Sequence, residues 1–261
     1  MHLPRSVALA SSLTVLDECG STNTELVARA AGLPDFAVLV TDNQTGGRGR
    51  LGREWVAPPG RTIAISVLLR PTSPGGRPLG IEQYGWLPLV AGLAMTRTVA
   101  PIVPGHDVTL KWPNDVQVDG LKVSGLLAEL LGSGDAVVMG AGVNLRFDAA
   151  ELPTPAATSL TLNDAVVPDA ELADAVLSGY LAELRQLLDD FLRHGIGGAQ
   201  LLMAGLCSTL GQRVRVELPG GDTLLGTAVD VDDSGRLRVR RSSDGAVQAV
   251  AAGDVTHLRY E

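Results

Sequence analysis

The stretch Thr41-Asp42-Asn43-Gln44-Thr45-Gly46-Gly47-Arg48-Gly49-Arg50-Leu51-Gly52-Arg53-Glu54-Trp55 decides how this chain is read. Gly47, Gly49 and Gly52 spell G-x-G-x-x-G, the pattern of dinucleotide-binding loops. That reading requires the loop to open into a helix whose N-terminus holds a pyrophosphate, with an acidic residue about 20 positions on for the ribose. Neither is present. Glu54-Trp55-Val56-Ala57 runs into Pro58 and Pro59, which block a helix, and no Asp or Glu lies between Glu54 and Glu82. The arginines carry the message instead. Arg48, Arg50 and Arg53 place three guanidiniums within six residues, where they repel one another until an anion arrives. The loop reads as a clamp that orders around a carboxylate or phosphate through backbone N–H groups and arginine forks.

The bulk numbers fit that reading. A chain of 261 residues, 45% hydrophobic, can bury a large core and suits one large domain with a small one beside it. A formal charge of −8 argues against a protein whose main task is gripping nucleic acid, but leaves room for small anionic ligands. Two cysteines, Cys19 and Cys207, make no disulfide framework, and the scattered histidines 2, 106, 194 and 257 make no metal site. No apolar run is long enough to span a membrane, and the opening residues read as the leading strand of a cytoplasmic protein. Only two of the 21 basic residues are lysines, Lys111 and Lys122, and they lie close together. In a chain that otherwise uses arginine, this points to sites that need a compact ammonium rather than a planar fork.

Outward from the loop, Gly20–Pro34 reads as a helix, with Thr22 and Glu25 at capping-box spacing. Phe36–Thr41 and Arg61–Pro71 read as strands, and Ile81–Ala100 as a mostly buried helix kinked at Pro88. Asp119-Gly120 marks a two-residue hairpin turn between apolar runs, and 136–145 is a further buried strand. Residues 168–195 form an amphipathic helix that presents Leu172, Val176, Tyr180, Leu184, Leu188 and Phe191, and ends at Gly195. Beyond residue 208 the texture changes to short strands and turns, which predicts a small antiparallel barrel. The expected organisation is α+β, with a large domain over 1–208 and a small β domain over 209–261.

"GSTN" (20–23), the opening stretch, "KWPNDV" (111–116), "GLKVSGLLAE" (120–129) and "GAGVN" (140–144), in this order, closely resemble the biotin protein ligases. The resemblance is strong over residues 15–147 and looser through Ala157–Leu160 to the C-terminus. It implies a catalytic domain akin to class II aminoacyl-tRNA synthetases, followed by an SH3-like β-barrel. It also implies a reaction in which biotin and ATP, with magnesium, give biotinyl-5′-AMP and pyrophosphate. A lysine of a biotin carboxyl carrier domain of a biotin-dependent carboxylase then takes the biotin. The family also includes repressors with a DNA-binding helix-turn-helix, for which about twenty residues before "GSTN" are too few; neither nucleic acid nor membrane is an expected partner.

Roles carry over by position. Ser21, Thr22, Asn23 and Gln44 resemble residues at the biotin ring, and Arg48, Gly49 and Arg50 the core of a loop that folds over biotin and the adenylate. Arg53 and Trp55 resemble nucleotide-side residues. Lys111, with Arg48 and Arg50, is the expected catalytic set, because carboxylate attack on a phosphate brings two anions together and a compact cation lowers that barrier. Lys122 is expected to serve the phosphates, Gly125 to let the backbone approach biotin, and Asn144 to lie near ATP. Magnesium is expected to be held mainly by phosphates, near Asn144, with no direct protein ligand. Asn114 and Asp115 are expected to orient Lys111. Two departures from the pattern are Gly46, expected to loosen the loop, and Ser124, which adds a hydroxyl near the biotin wall. Rival readings are a lipoate-type ligase of the same fold and a non-catalytic biotin- or nucleotide-binding protein.

Overall fold

The computed structural model describes residues 1–218, 221–252 and 257–260, without the side chains of His257 and Tyr260. The chain opens with a short helix, α1 (Pro4–Val7), and then β1 (Ser12–Val15). The leading segment is thus not all strand. Pro4 starts the turn, and the Asp174 carboxylate accepts from the Arg5 and Ser6 amides at 3.0 and 3.1 Å. Helix α2 (Thr22–Arg29) is followed by β2 (Ala37–Thr41), the hairpin β3 (Gln44–Arg48) and β4 (Glu54–Ala57), and then β5 (Thr62–Leu69). The capping box expected at Thr22 does not form. Ser21 is the N-cap and makes no side-chain cap, Thr22 is turned toward Gln44, and Glu25 pairs with Arg29 at 2.7 Å.

Helix α3 (Leu87–Val99) carries Pro88 in its first turn, where proline's missing N–H is not required. The expected kink is therefore absent, and a tight turn over Ile81–Trp86 leads into the helix instead. Next come β6 (Val108–Lys111), β7 (Asp115–Val118), β8 (Leu121–Leu130) and β9 (Val137–Asn144). Asp119 and Gly120 both take positive φ, 50° and 80°, the conformation a type I′ turn demands. Helices α4 (Asp169–His194) and α5 (Gly197–Leu206) complete this part, and all six apolar positions expected of α4 are buried. The five aliphatic and phenylalanine side chains among them contribute about 1.5–3 kcal/mol each on burial.

The seven strands are ordered β1-β2-β5-β9-β8-β7-β6, with β1 parallel to β2 and every other pair antiparallel. All eight residues of β5 are buried, so this central strand is covered on both faces. One face carries Ile63, Ile65, Val67, Val137, Met139 and Val143 into the main core with α3 and α4. The other face packs Leu39, Leu68 and Val138 against Leu26 of α2, but then changes character. Several positions beyond are small (Ala64 and Ser66 on β5, Gly140 and Gly142 on β9, Gly125 on β8), and the sheet is left hollow there.

The C-terminal strands are β10 (Arg213–Glu217), β11 (Thr223–Val231), β12 (Leu237–Arg241), β13 (Val247–Val250) and β14 (His257–Tyr260). They form an antiparallel sheet ordered β13-β12-β11-β10-β14, in agreement with the β texture of the sequence. The sequence reads 246–260 as a single strand region, but β13 and β14 are separate and residues 253–256 between them lie outside the described residues. This sheet docks on the large one through two indoles: Trp86 Nε1 donates to Asp232 O at 3.1 Å and Trp112 Nε1 to Gly235 O at 3.3 Å. No helix among the described residues is long and apolar enough to cross a membrane.

Candidate active site

The hollow on the sheet is the floor of a cleft of about 130 Å³. Its shape follows from missing side chains. A Cβ at Gly140 would lie 2.4 Å from Asn23 Oδ1, and one at Gly142 only 2.4 Å from Trp55 Cε2. The two glycines thus admit an amide from α2 and an indole from β4. Trp55 also rests on Gly125, and its Nε1 is buried without a hydrogen-bond partner among the described residues.

The β3–β4 hairpin covers this floor as a lid. Its first end is anchored: the Thr45 amide donates to Cys19 O at 2.9 Å and the Gly46 amide to Gly20 O at 2.7 Å. Gly46 is thus held through its amide at the start of the hairpin. Gly47 lets the hairpin strands close tightly, since a Cβ there would lie 2.3 Å from Trp55 O. At the tip, Arg50–Gly52 form one tight turn, with φ of 57° at Leu51 and 73° at Gly52. A strand follows, not a helix, which disposes of the dinucleotide pattern.

The lid's side chains reach both ends of the cleft. Arg48 donates to Thr24 Oγ1 and to both oxygens of Glu129, each at 3.0 Å. Arg50 donates to Asn114 Oδ1 at 3.2 Å and to Ala252 O of the C-terminal part. Burial lowers the Arg50 pKa, and the nearby Asp115 opposes that shift. Gln44 Oε1 accepts from the Thr22 amide at 2.9 Å and its hydroxyl at 3.2 Å. The Ser66 hydroxyl donates to Asn23 Oδ1 at 2.6 Å and lies 2.8 Å from Thr22 Oγ1.

Lys122 supplies the cation of the floor. Its Nζ is 2.7 Å from Asp115 Oδ1 and 5.5 Å from the centroid of the Trp55 ring. Lys111 is not among the residues lining the cleft. It ends β6, the edge strand, with Asp115 of β7 as its register partner, and so stands farther out than Lys122 on β8. Burial lowers its pKa; Asp115 opposes this, while Lys122 and Arg259 add to it.

The structure brings together Ser21, Thr22, Asn23 and Gln44 at one end of the cleft, and Arg48, Gly49, Arg50, Arg53 and Trp55 on the lid. Lys122 and Gly125 complete the set from the floor. Lys111, Ser124 and Asn144 do not line it. A register shift in the β7–β8 pair lies between Lys122 and Ser124, and the Ser124 side chain is fully buried with its hydroxyl unpartnered. Asn144 is buried under Thr158, to whose carbonyl its Nδ2 donates at 2.8 Å. Asn114 and Asp115 line the cleft themselves, where they meet Arg50 and Lys122, and Asp115 is also the register partner of Lys111. Sequence reasoning missed Ser66, Glu129, Gly140 and Gly142; the small-residue alternation in Gly140-Ala141-Gly142 was the available signal for the last two.

The arrangement can neutralise an extended anion. Three arginines of the lid and Lys122 of the floor surround the cleft, whose lining includes only Glu54 and Asp115 as acids. No three His, Cys, Asp or Glu side chains converge on a metal site among the described residues.

The biotin/lipoate A/B protein ligase family matches residues 17–144, and the biotin protein ligase C terminal domain matches residues 209–258. The chain is 40% identical to the biotin–[acetyl-CoA-carboxylase] ligase of Mycobacterium tuberculosis, over 95% of this chain and 89% of that protein. The chain belongs to the biotin protein ligase family. It is 29% identical to the bifunctional ligase/repressor BirA of Escherichia coli, over 94% of this chain and 74% of that one. Among solved structures it resembles the Aquifex aeolicus biotin protein ligase in complex with biotin and ATP, with a TM-score of 0.77 and 28% identity. That match covers 96% of this chain and 100% of the other. It also resembles the Leishmania major biotin protein ligase in complex with biotinyl-5-AMP, with a TM-score of 0.57, 27% identity, and coverage of 93% and 99%. The fold is that of the biotin ligases, with the SH3-like C-terminal domain the family carries.

Proposed function

We propose that this chain activates biotin with ATP and transfers it to a lysine of a biotin carboxyl carrier domain. The observation that carries the reading is the ring of four cations, Arg48, Arg50, Arg53 and Lys122, around a floor of glycines. In the first step a biotin carboxylate oxygen bonds to the α-phosphorus of ATP as the bond to pyrophosphate breaks, leaving biotinyl-5′-AMP. In the second, a neutral lysine amine of the carrier attacks the acyl carbon, AMP leaves, and a proton is released. Both partners of the first step are anions, so a fixed cation between them acts on the barrier itself. Lys111 and Lys122 are the two cations we place in that role: Lys122 stands in the cleft, and Lys111 lies beside the same Asp115.

Ser21, Thr22, Asn23 and Gln44 offer the polar groups for the biotin ring, and Gly125 the close backbone approach. Trp55, Arg53 and Arg50 serve the nucleotide side. At about 130 Å³ the closed cleft is smaller than the ~300–1,000 Å³ of usual ligand pockets, so the lid lifts and Trp55 shifts as substrates enter. Magnesium is proposed to be held mainly by the phosphates, where it would neutralise charge on the leaving pyrophosphate. We place the boundary between the catalytic and C-terminal domains at 208/209, the start of the C-terminal family match being the support. The two buried free thiols support a cytoplasmic setting.

The test is transfer of labelled biotin to a purified carrier domain with ATP and magnesium. The expected products are a biotinylated carrier lysine and AMP. No transfer would overturn the reading, and transfer of lipoate in place of biotin would reassign the substrate.

A further inference from the structure

The polar contacts of the cleft form one continuous chain that ties together the two ends of β3, the lid's first strand. It starts at Gln44, the first residue of β3, whose side chain is held by Thr22. Thr22 lies beside Ser66, and Ser66 donates to Asn23. Asn23 Nδ2 then donates to Glu129 Oε1 at 2.8 Å, and more weakly to Leu127 O at 3.3 Å. Glu129 receives Arg48, the last residue of β3, at 3.0 Å on both oxygens. One carboxylate thus joins the lid, the start of α2 and the edge of the floor.

The geometry points to Glu129 as the positioning residue that latches the lid and couples its closure to the biotin-ring end of the cleft. It does not line the cleft, and it acts through two residues that do. Glu129 is also the ion-pair partner of Arg48, and Arg48 is half exposed, so the lid end of the latch is open to solvent. A half-exposed pair is weak enough to open and close, and salt screens it. The inner half of the latch is different. Asn23 is buried, and its amide fills the space that a Cβ on Gly140 would need. When Arg48 lifts, Glu129 keeps Asn23 and gives up one partner; when Arg48 returns, it meets a carboxylate already oriented.

This inference rests on the ligase reading, and its test separates the two. The measured quantity is the rate at which labelled biotinyl-5′-AMP, formed in place, escapes from the full-length enzyme into solution. Glu129→Gln keeps acceptor and donor atoms but removes the charge; its escape rate should rise a few-fold with an unchanged melting temperature. Glu129→Ala removes the Asn23 contact as well; its escape rate should rise roughly tenfold, and KM should rise for biotin but not for ATP. Raising salt weakens the cation–phosphate contacts in every variant, but it should speed escape more in the native enzyme than in Glu129→Gln, a difference that a merely structural residue would not produce. The Arg48→Ala, Glu129→Ala double variant should release the adenylate no faster than the faster single variant. Equal escape rates in the native enzyme and both Glu129 variants, or Arg48 and Glu129 effects that multiply independently, would overturn the latch. A native enzyme that forms no adenylate would overturn the ligase reading itself.

Discussion

Two hairpins meet at the cleft, and they are held by opposite means. The β7–β8 hairpin turns through Asp119-Gly120 and buries Val116, Val118 and Val123 completely. The β3–β4 hairpin pairs at Gln44–Ala57, Gly47–Trp55 and Arg48–Glu54 with a register shift between, and exposes much of its surface. The first is fixed by the core. The second is fixed by hydrogen bonds and ion pairs to groups outside itself. Apolar burial is strong and does not depend on a ligand, whereas exposed polar contacts are weak and exchange readily with water. The difference assigns the reacting cation to the floor and substrate retention to the lid.

The sharpest way to break that assignment is on the floor. Lys122→Ala is expected to slow single-turnover adenylate formation by ~10²–10³-fold, the scale of losing one fixed electrostatic donor. Lys111→Ala, which removes the ammonium beside Asp115, is expected to lose at least as much. Near-normal rates in both variants would remove these cations from the reacting centre. On the lid, Gly47→Ala places a Cβ 2.3 Å from the Trp55 carbonyl and should prevent the hairpin from closing. Turnover is expected to fall by roughly 10–100-fold through misplacement of the arginines, with the melting temperature little changed. A large loss of stability would mean that the lid is part of the core.

Smaller effects refine the contrast. Arg50→Ser should speed escape of the adenylate by about tenfold while sparing the fold, since it removes one charge-assisted anchor. An unchanged escape rate would separate Arg50 from retention. The smallest effect belongs to the floor hairpin's turn, which does not line the cleft. Gly120 has φ of 80° and open space around its missing side chain. Gly120→Ala should cost about 1 kcal/mol by thermal or urea unfolding and leave both KM values alone. A change in KM would show that the turn reaches the site.

What the sequence made legible follows from locality. The arginine loop, the Asp119-Gly120 turn and the six-residue apolar face of α4 are all encoded within a few neighbouring positions, and each is found where it was read. Pro88 was misread because a proline in the first turn of a helix and one in its middle differ only by where the helix begins. Thr22 has the spacing of a cap, but its partner is Gln44, across 22 residues. Ser66, Glu129, Gly140 and Gly142 were invisible for the same reason: each sits in an apolar strand whose pattern reads as core, and its meaning lies in what another strand or helix brings to it. Of the two lysines Lys122 lines the cleft, and the strand order that places it there is not a local property of sequence.

The central claim is that a cation ring over a glycine floor joins a carboxylate to the α-phosphate of ATP. Biotin-dependent exchange of labelled pyrophosphate into ATP by the purified chain, without any carrier, measures that step alone. The account predicts exchange that requires biotin and is lost in Lys122→Ala. Absence of exchange in the native chain, or exchange that proceeds equally without biotin, would contradict it.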